Sequence, residues 1–297
     1  MDAFDRREFL KLAGLGGVVF ASGLSGCTSY GTSGAPRDFH FLQLSDVHWG
    51  YNNAAVNPDF KGTLPKAIAT VNSLDQKPDF VVFTGDLTQT TDDSKLRRER
   101  LKEFRDIAAG LRVSKVYYFA GEHDASLDRG EAYQELFGET LRYTFDHKGI
   151  HFIVLDNTSD PAPILGDKQL AWLKADLAGL KPDQPIVVLT HRPLFPLSPQ
   201  WDWATRDGQA AIDLLMPFRN VTVFYGHIHH ENHHKTGHIE HHAALSLMFP
   251  LSPLGTAEKK TQLPWNPAMP YKGLGFRDVQ AGSASTYRIV DVPPAKG

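Results

Sequence analysis

The segment FHFLQLSDVH, residues 39–48, decides the fold class of this chain and indicates its chemistry. Its first six residues are mostly apolar, a pattern typical of a buried β-strand. That strand would end just before Asp46 and His48. Because side chains two residues apart in an extended chain face the same way, these two residues can contact one metal ion. The segment therefore predicts a strand with potential metal ligands at its carboxyl end.

Four more apolar runs are followed at once by acidic, histidine or arginine residues. The predicted strands and the motifs after them are 80–84 with GD (85–86), 116–120 with GEHD (121–124), 186–190 with HRP (191–193) and 221–225 with GHIH (226–229). Ligands of open α/β sheets bind beyond the carboxyl ends of the strands, so these motifs are expected to converge. Any one of them arises often by chance, and a lone histidine there is usually a hydrogen-bonded structural residue. Their joint order favours a shared site.

Helix-like segments alternate with these strands, which is the pattern of an α/β fold. The predicted helices are 64–74, 94–111, 168–180 and 208–218, and one further strand is predicted at 151–155. Strands that are apolar throughout indicate sheets buried on both faces. No repeat or internal linker divides residues 38–297, so we predict one domain.

The ordered motifs resemble the signature of the calcineurin-like metallophosphoesterases, which is D-x-H, GD, GNH[DE], H and GHxH. The resemblance covers residues 39–230 and is strongest to the cyclic-nucleotide phosphodiesterase branch of that family. It implies an α/β, four-layer sandwich of two mixed β-sheets flanked by helices. It also implies a hydrolase that uses two metal ions to activate a bridging hydroxide against a phosphate ester.

The resemblance assigns each candidate ligand to one of two metal ions. The residues implied for the first ion are Asp46, His48 and His229; those for the second are Glu122, His191 and His227; and Asp86 would bridge both. The same resemblance makes His123 the general acid, with Asp124 orienting its ring. Arg192 is either a partner for a phosphate oxygen or a surface residue beside a proline turn.

Position 122 departs from the family, which has asparagine where this chain has Glu122. An ionised carboxylate lowers the net charge of the site by one unit unless one metal ion is trivalent. Three interpretations remain open: a competent site for another metal pair such as iron with manganese, a one-metal site, or a protonated Glu122 in place of the amide. We favour the first, in which two transition-metal ions are the cofactors.

Substrate class is open in the same way. Phosphodiesters, including cyclic nucleotides and glycerophosphodiesters, are our first expectation, and phosphomonoesters are the alternative. A metal-binding or partner-binding lipoprotein without turnover is the non-enzymatic alternative. Two long segments, 193–208 and 246–285, could shape the substrate pocket. Their aromatic residues would either stack on a nucleobase or pin the segments to the domain.

The N-terminus has the features of an export signal. Residues 5–11, DRREFLK, precede an apolar stretch at 12–24 that is too short to span a bilayer and that leads into LSGC at 24–27. This resembles a twin-arginine signal with a lipobox, although a frayed amphipathic helix is the alternative. We predict a signal peptide at 1–26, a tether at 27–37, and an exported, periplasmic or extracytoplasmic lipoprotein attached to the membrane through Cys27.

Bulk composition excludes several classes of function. The chain has 297 residues, a net charge of −3 and one cysteine. Without an excess of positive charge, binding of bulk nucleic acid is not expected, and no protein partner is indicated. One cysteine cannot form an intrachain disulfide. Six histidines follow the GHIH motif closely and either form an extra metal site or lie in a solvent-exposed polar turn, which we favour. They are His230, His233, His234, His238, His241 and His242.

Overall fold

The computed structural model describes residues 20–21, 39–138, 140–201, 203–281 and 287–295. The twin-arginine pair, Cys27 and the predicted tether lie outside the described residues, as does most of the predicted signal peptide. Within the described ranges, no helix combines the length and the apolar character needed to cross a bilayer.

Two six-stranded mixed sheets form the centre of the fold. The first contains β1 (Phe20–Ala21), β2 (Phe39–Leu44), β3 (Phe80–Thr84), β4 (Val116–Phe119), β11 (Phe276–Ala281) and β12 (Tyr287–Val292), in the order β1-β12-β11-β2-β3-β4. The second contains β5 (Tyr143–His147), β6 (Ile150–Val154), β7 (Ile186–Leu189), β8 (Val221–Tyr225), β9 (Asn232–Thr236) and β10 (Ile239–Ala243), in the order β5-β6-β7-β8-β10-β9. The parallel strands β2, β3 and β4, and likewise β6, β7 and β8, end at the same edge of their sheets.

Helices cover the outer faces of both sheets. They are α1 (Thr63–Ser73), α2 (Ser94–Ala108), α3 (Glu122–Ala125), α4 (Glu131–Phe137), α5 (Gly166–Leu177) and α6 (Gly208–Leu215). The apolar faces of α1 and α2 pack on the first sheet, and those of α5 and α6 pack on the second. A third apolar cluster, which includes Phe41 and Phe152, joins the two sheets. The predicted four-layer α/β sandwich is confirmed.

Alternation within the strands explains the layers. In β2, Phe39 and Phe41 face the other sheet, whereas Leu42 and Leu44 face the helices. Because successive side chains point to opposite faces, a strand between two layers must be apolar at nearly every position. The runs that predicted strands in the sequence are these doubly buried strands.

The predicted boundaries of the buried strands are right to within one residue, and those of the helices are less accurate. The predicted helix 94–111 ends at Ala108, and six strands were not predicted: β1, β5, β9, β10, β11 and β12. The predicted exposed histidine turn is wrong, because it forms the antiparallel hairpin β9–β10. His241 and His242 are buried on β10.

His241 should make the protein sensitive to acid. Its side chain is fully buried, and neither ring nitrogen has a hydrogen-bond partner among the described residues. Burial, with the nearby His234 and His242, lowers the pKa of His241 to about 3. Below about pH 6.5, this histidine binds a proton in the unfolded chain but not in the folded chain. The free energy of unfolding therefore decreases as the pH falls.

We expect His241→Leu to reduce this loss. Between pH 7 and pH 5, the free energy of unfolding of the unmodified chain should fall by about 1–2 kcal/mol more than that of the variant. Urea unfolding at both pH values measures the difference, and the exposed His238→Ala serves as control. Parallel stability–pH curves for His241→Leu and the unmodified chain would contradict the assignment.

Candidate metal centre

Loops that follow β2, β3, β7 and β8, together with the start of α3, bring all seven predicted metal ligands together. Several of these ligands have a backbone conformation that residues other than glycine rarely adopt. The φ angles are 53° for Asp46, 46° for His48, 48° for Asp86, 66° for His227 and 55° for His229. Such left-handed residues cluster at functional sites, where the surrounding packing holds them. The chain therefore turns sharply at these five ligands.

One group of ligand atoms comes from the loops after β2 and β8. Nε2 of His48 lies 3.1 Å from Nε2 of His229, and Nε2 of His229 lies 3.3 Å from Oδ1 of Asp46. All three side chains are buried. Oδ2 of Asp86 lies 3.7 Å from Nε2 of His48, which connects this group to the second one.

The second group surrounds the carboxylate of Glu122. Its Oε2 lies 2.8 Å from Nε2 of His191, and its Oε1 lies 2.7 Å from Nδ1 of His227. Oδ2 of Asp86 lies 3.4 Å from the same nitrogen of His191. Asp86 is thus the carboxylate that both groups share, in agreement with its predicted bridging position.

The unpaired atoms of the second group fit a metal ion. Nε2 of His227 is buried and has no hydrogen-bond partner among the described residues, and the 2.8 Å contact between Nε2 of His191 and Oε2 of Glu122 lacks hydrogen-bond geometry. A buried polar atom without a hydrogen bond lowers the free energy of unfolding by about 1–3 kcal/mol. A cation bound to such atoms would therefore stabilise the folded chain. Imidazole and carboxylate together suit zinc, iron and manganese. The donor set therefore fits two metal ions, one in each group.

Backbone carbonyls fix the rings of two ligands. Nδ1 of His191 contacts the carbonyl oxygen of Thr84 at 2.8 Å, and Nδ1 of His229 contacts that of Phe249 at 2.6 Å. A ring nitrogen that donates to a carbonyl leaves its other nitrogen free to bind metal. The Phe249 ring also packs against the rings of His48 and His229. Sequence reasoning missed Phe249, because no local pattern connects it to ligands at other positions in the chain.

Glycines precede three of the ligand segments because the chain has no room for a side chain there. A Cβ atom on Gly121 would lie 2.1 Å from Oδ1 of Asp86, and one on Gly226 would lie 2.0 Å from Oγ of Ser45. Glycine permits such close approach of backbone to a neighbouring group. The GD, GEHD and GHIH motifs are thus parts of one packed site.

Comparison with known proteins agrees with this geometry. A family model described as calcineurin-like phosphoesterase matches residues 39–231. The chain belongs to the calcineurin-like phosphoesterase family. It is 30% identical over 210 residues to a probable cyclic nucleotide phosphodiesterase of Rhodococcus erythropolis, covering 66% of each chain. It is 28% identical over 207 residues to a cAMP/cGMP dual specificity phosphodiesterase of Mycobacterium tuberculosis, covering 66% of this chain and 63% of that one. It thus spans just under two thirds of the length of these relatives.

The fold is also shared with solved structures of this family. A dimetal phosphatase from Danio rerio superimposes with a TM-score of 0.56 and 16% sequence identity, over 86% of this chain and 99% of that one. At that identity the likeness shows the fold alone. Calcineurin-like phosphoesterases depend on two metal ions, and the ligand groups described above are those that the family motifs supply.

The predicted role of Asp124 needs correction. Both of its carboxylate oxygens accept hydrogen bonds from the loop after β3 and from its own turn, at 2.8–2.9 Å from backbone N–H groups of Leu87, Thr88 and Gly121. The ring of His123 is held instead by the N–H of Thr90, which lies 3.1 Å from Nδ1. Asp124 therefore braces the loop that carries Asp86. Burial, with the Asp86 charge, raises the pKa of Asp124 to about 6.

His123 lies at the mouth of the centre. Its backbone N–H donates to Oδ1 of Asp86 at 2.9 Å, and its Nε2 lies 3.8 Å from Oδ2 of the same residue. Because the Thr90 N–H donates to Nδ1, the neutral ring carries its proton on Nε2. That proton faces the shared carboxylate, and 27% of the side chain remains exposed to solvent.

Arg192 is buried, so the expectation of a surface arginine is wrong. Its Nη1 lies 3.7 Å from Oε1 of Glu122. A guanidinium at this distance offsets the charge that Glu122 adds relative to the asparagine of the family.

The pKa shifts favour the forms that bind metal at most ligands. Burial lowers the pKa of His227 to about 4 and that of His48 well below its usual value, which keeps both rings neutral. Although burial opposes ionisation, the rings of His227 and His191 hold the pKa of Glu122 well below its usual value. His191 differs: burial opposes its charge, yet Asp86 and Glu122 hold its pKa well above the usual value. Metal binding there must displace a proton.

Trp201 and Trp203 anchor the first long segment to the domain. Trp203 is fully buried, and its ring centroid lies 4.6 Å from that of Trp201 and 6.1 Å from that of His227. Nε1 of Trp201 donates to the carbonyl of Glu258, which joins the two segments. The second segment also contains β11, where Arg277 is buried against Asp291. Trp203, being fully buried, offers no face for a nucleobase.

Proposed function

We propose that this protein hydrolyses phosphodiesters, by a dinuclear mechanism in which its own side chains bind and orient the ester. The observation that carries the proposal is the convergence of two ligand groups on the shared carboxylate of Asp86. When bound, two metal ions supply positive charge for the phosphoryl oxygens and lower the pKa of a water molecule. The similarity to two cyclic nucleotide phosphodiesterases supports a diester as substrate.

Three side chains near the metal positions have separate roles in the proposed reaction. His123 directs its Nε2 proton toward the centre, where it can be donated to the departing alkoxide. Arg192 lies beside Glu122, and a guanidinium has further N–H groups that can pair with a phosphoryl oxygen. Asp124 keeps the loop of Asp86 in place through backbone hydrogen bonds.

Turnover of three substrates tests this proposal. The purified chain, reconstituted with iron, manganese, zinc or cobalt, should hydrolyse bis(p-nitrophenyl) phosphate and cyclic nucleotides faster than p-nitrophenyl phosphate. Preference for the monoester would support the phosphomonoesterase alternative. Absence of turnover with every metal and substrate would support the binding-protein alternative.

We further propose that Glu122 binds the second metal ion and that the pair is iron with manganese. A carboxylate compensates a trivalent ion better than an amide does, because it adds one negative charge to the same position. Glu122→Asn should therefore lower affinity for the trivalent ion at least about tenfold and leave an all-divalent pair bound. Metal content by elemental analysis, after loading with iron and manganese or with zinc, measures the change.

Two companion variants separate charge from length. Glu122→Gln keeps the length and loses the charge, so it should behave like Glu122→Asn. Glu122→Asp keeps the charge and should retain iron better than either amide variant. Equal iron content in the amide variants and the unmodified chain would show that the charge of Glu122 does not select the metal.

We also propose export and lipid attachment, supported by the twin-arginine pattern and the lipobox that ends at Cys27. Expression in a bacterium with an intact twin-arginine pathway should place the chain in the membrane fraction with a lipid-modified Cys27. Cys27→Ala should abolish incorporation of labelled fatty acid, and replacement of Arg6 and Arg7 by lysine should keep the chain in the cytoplasm. Continued lipid labelling of Cys27→Ala would refute the attachment.

A further inference from the structure

The β9–β10 hairpin brings two histidines together outside the dinuclear centre. His233 on β9 lies directly opposite His242 on β10. Their Nδ1 atoms are 2.5 Å apart. His234 and His241 are also paired across the hairpin but occupy its other face, since side chains alternate along a strand.

A carboxylate stands behind each of the two rings. Oε1 of Glu231 lies 3.2 Å from Nε2 of His233, and Oε2 of Glu240 lies 3.6 Å from Nε2 of His242. A carboxylate near one ring nitrogen favours the proton on that nitrogen, which leaves a lone pair on the other. The two Nδ1 atoms then face each other at hydrogen-bond distance, so that either a shared proton or a cation lies between them. Imidazole with a carboxylate behind it is the arrangement found around histidines that bind metal.

We propose that His233 and His242 form a third metal site, for a divalent transition ion of the zinc and copper class. The ligand atoms of the dinuclear centre approach each other in the same way, at 2.7–3.4 Å. Two nitrogens at about 2.0–2.1 Å from one tetrahedral ion lie about 3.3 Å apart, so the rings need to separate by under about 1 Å. Water molecules would complete the coordination.

The surroundings of the pair suit a cation that arrives from solvent. His242 is buried, whereas 17% of the His233 side chain and 26% of the Glu231 side chain are exposed, which gives a path to the site. Three carboxylates and two cationic side chains stand around the pair, leaving one negative charge. These groups are Glu231, Glu240, Asp291, Arg277 and Lys235.

Zinc binding by the full chain tests the proposal. After equilibrium dialysis against zinc, elemental analysis should find three ions per unmodified chain and two per chain of His233→Ala. The matched control is His234→Ala, the next residue on the opposite face, which should still bind three. Glu231→Gln should weaken the third ion about 10-fold to 100-fold, because it removes the carboxylate behind the His233 ring. Thermal melting checks that each variant is folded.

A second experiment distinguishes metal binding at the hairpin from metal binding at the dinuclear centre. In Asp86→Asn, which impairs that centre, Cu²⁺ bound at the hairpin should give an electron paramagnetic resonance spectrum with coupling to two imidazole nitrogens. Adding His233→Ala should remove that spectrum. Two zinc ions in the unmodified chain, or three in folded His233→Ala, would overturn the proposal, and so would a proton shared between the rings with no third ion.

Discussion

Asp86→Ala is expected to reduce kcat for bis(p-nitrophenyl) phosphate by at least about a thousandfold. Asp86 is the one carboxylate that belongs to both ligand groups, with Oδ2 at 3.7 Å from Nε2 of His48 and 3.4 Å from that of His191. Its other oxygen accepts the backbone N–H of His123. The substitution therefore removes the bridge between the metal positions and also the anchor of the candidate general acid.

Metal content distinguishes this effect from a general loss of structure. Asp86→Ala should retain fewer than two metal ions per chain in elemental analysis while remaining folded by circular dichroism. The matched control is Asp79→Ala, which removes a carboxylate just before the other end of β3 that pairs with Lys148. That variant should keep both ions and most of its activity. An Asp86→Ala variant with a tenth of the original kcat would exclude the bridging role.

The strand ends could be predicted because their signals are local. Each doubly buried strand is an apolar run in the sequence, and each ligand follows its run within a few residues. The common direction of parallel strands then requires the ligands to meet at one edge. No geometry beyond strand order is needed for that inference, and the seven predicted ligands do lie together.

Other features depend on contacts that no local pattern records. The left-handed backbone at Asp46 or His229 is held by packing, because an aspartate or histidine tolerates this conformation but does not require it. β9 is the edge strand of the second sheet, where polar residues such as those of NHHKT are tolerated and obscure the strand signal. Asp124 looked like a partner of His123 because it is adjacent in sequence, whereas its carboxylate turns back to the loop after β3.

His123→Ala should lower kcat by about 100-fold to 10,000-fold while both metal ions stay bound. Metal should stay bound because the two groups that hold the seven predicted ligands do not include His123, whose ring stands over Asp86 at 3.8 Å and is held by Thr90. A matched control is His147→Ala, since 25% of that side chain is exposed compared with 27% for His123, and it pairs with Asp79 away from the centre. This control should keep normal activity.

Leaving-group dependence decides whether His123 acts as an acid. A nitrophenolate departs readily without a proton, whereas the alkoxide released from a cyclic nucleotide needs one. The loss in His123→Ala should therefore be smallest for bis(p-nitrophenyl) phosphate and larger for cyclic nucleotides or alkyl esters. If His123 only positions Asp86 through its backbone N–H, the side-chain deletion should leave the hydrolysis rates of all esters nearly unchanged, because that N–H remains in the variant. An equal loss across leaving groups would remove proton donation from the mechanism and leave His123 as a residue that shapes the mouth of the site.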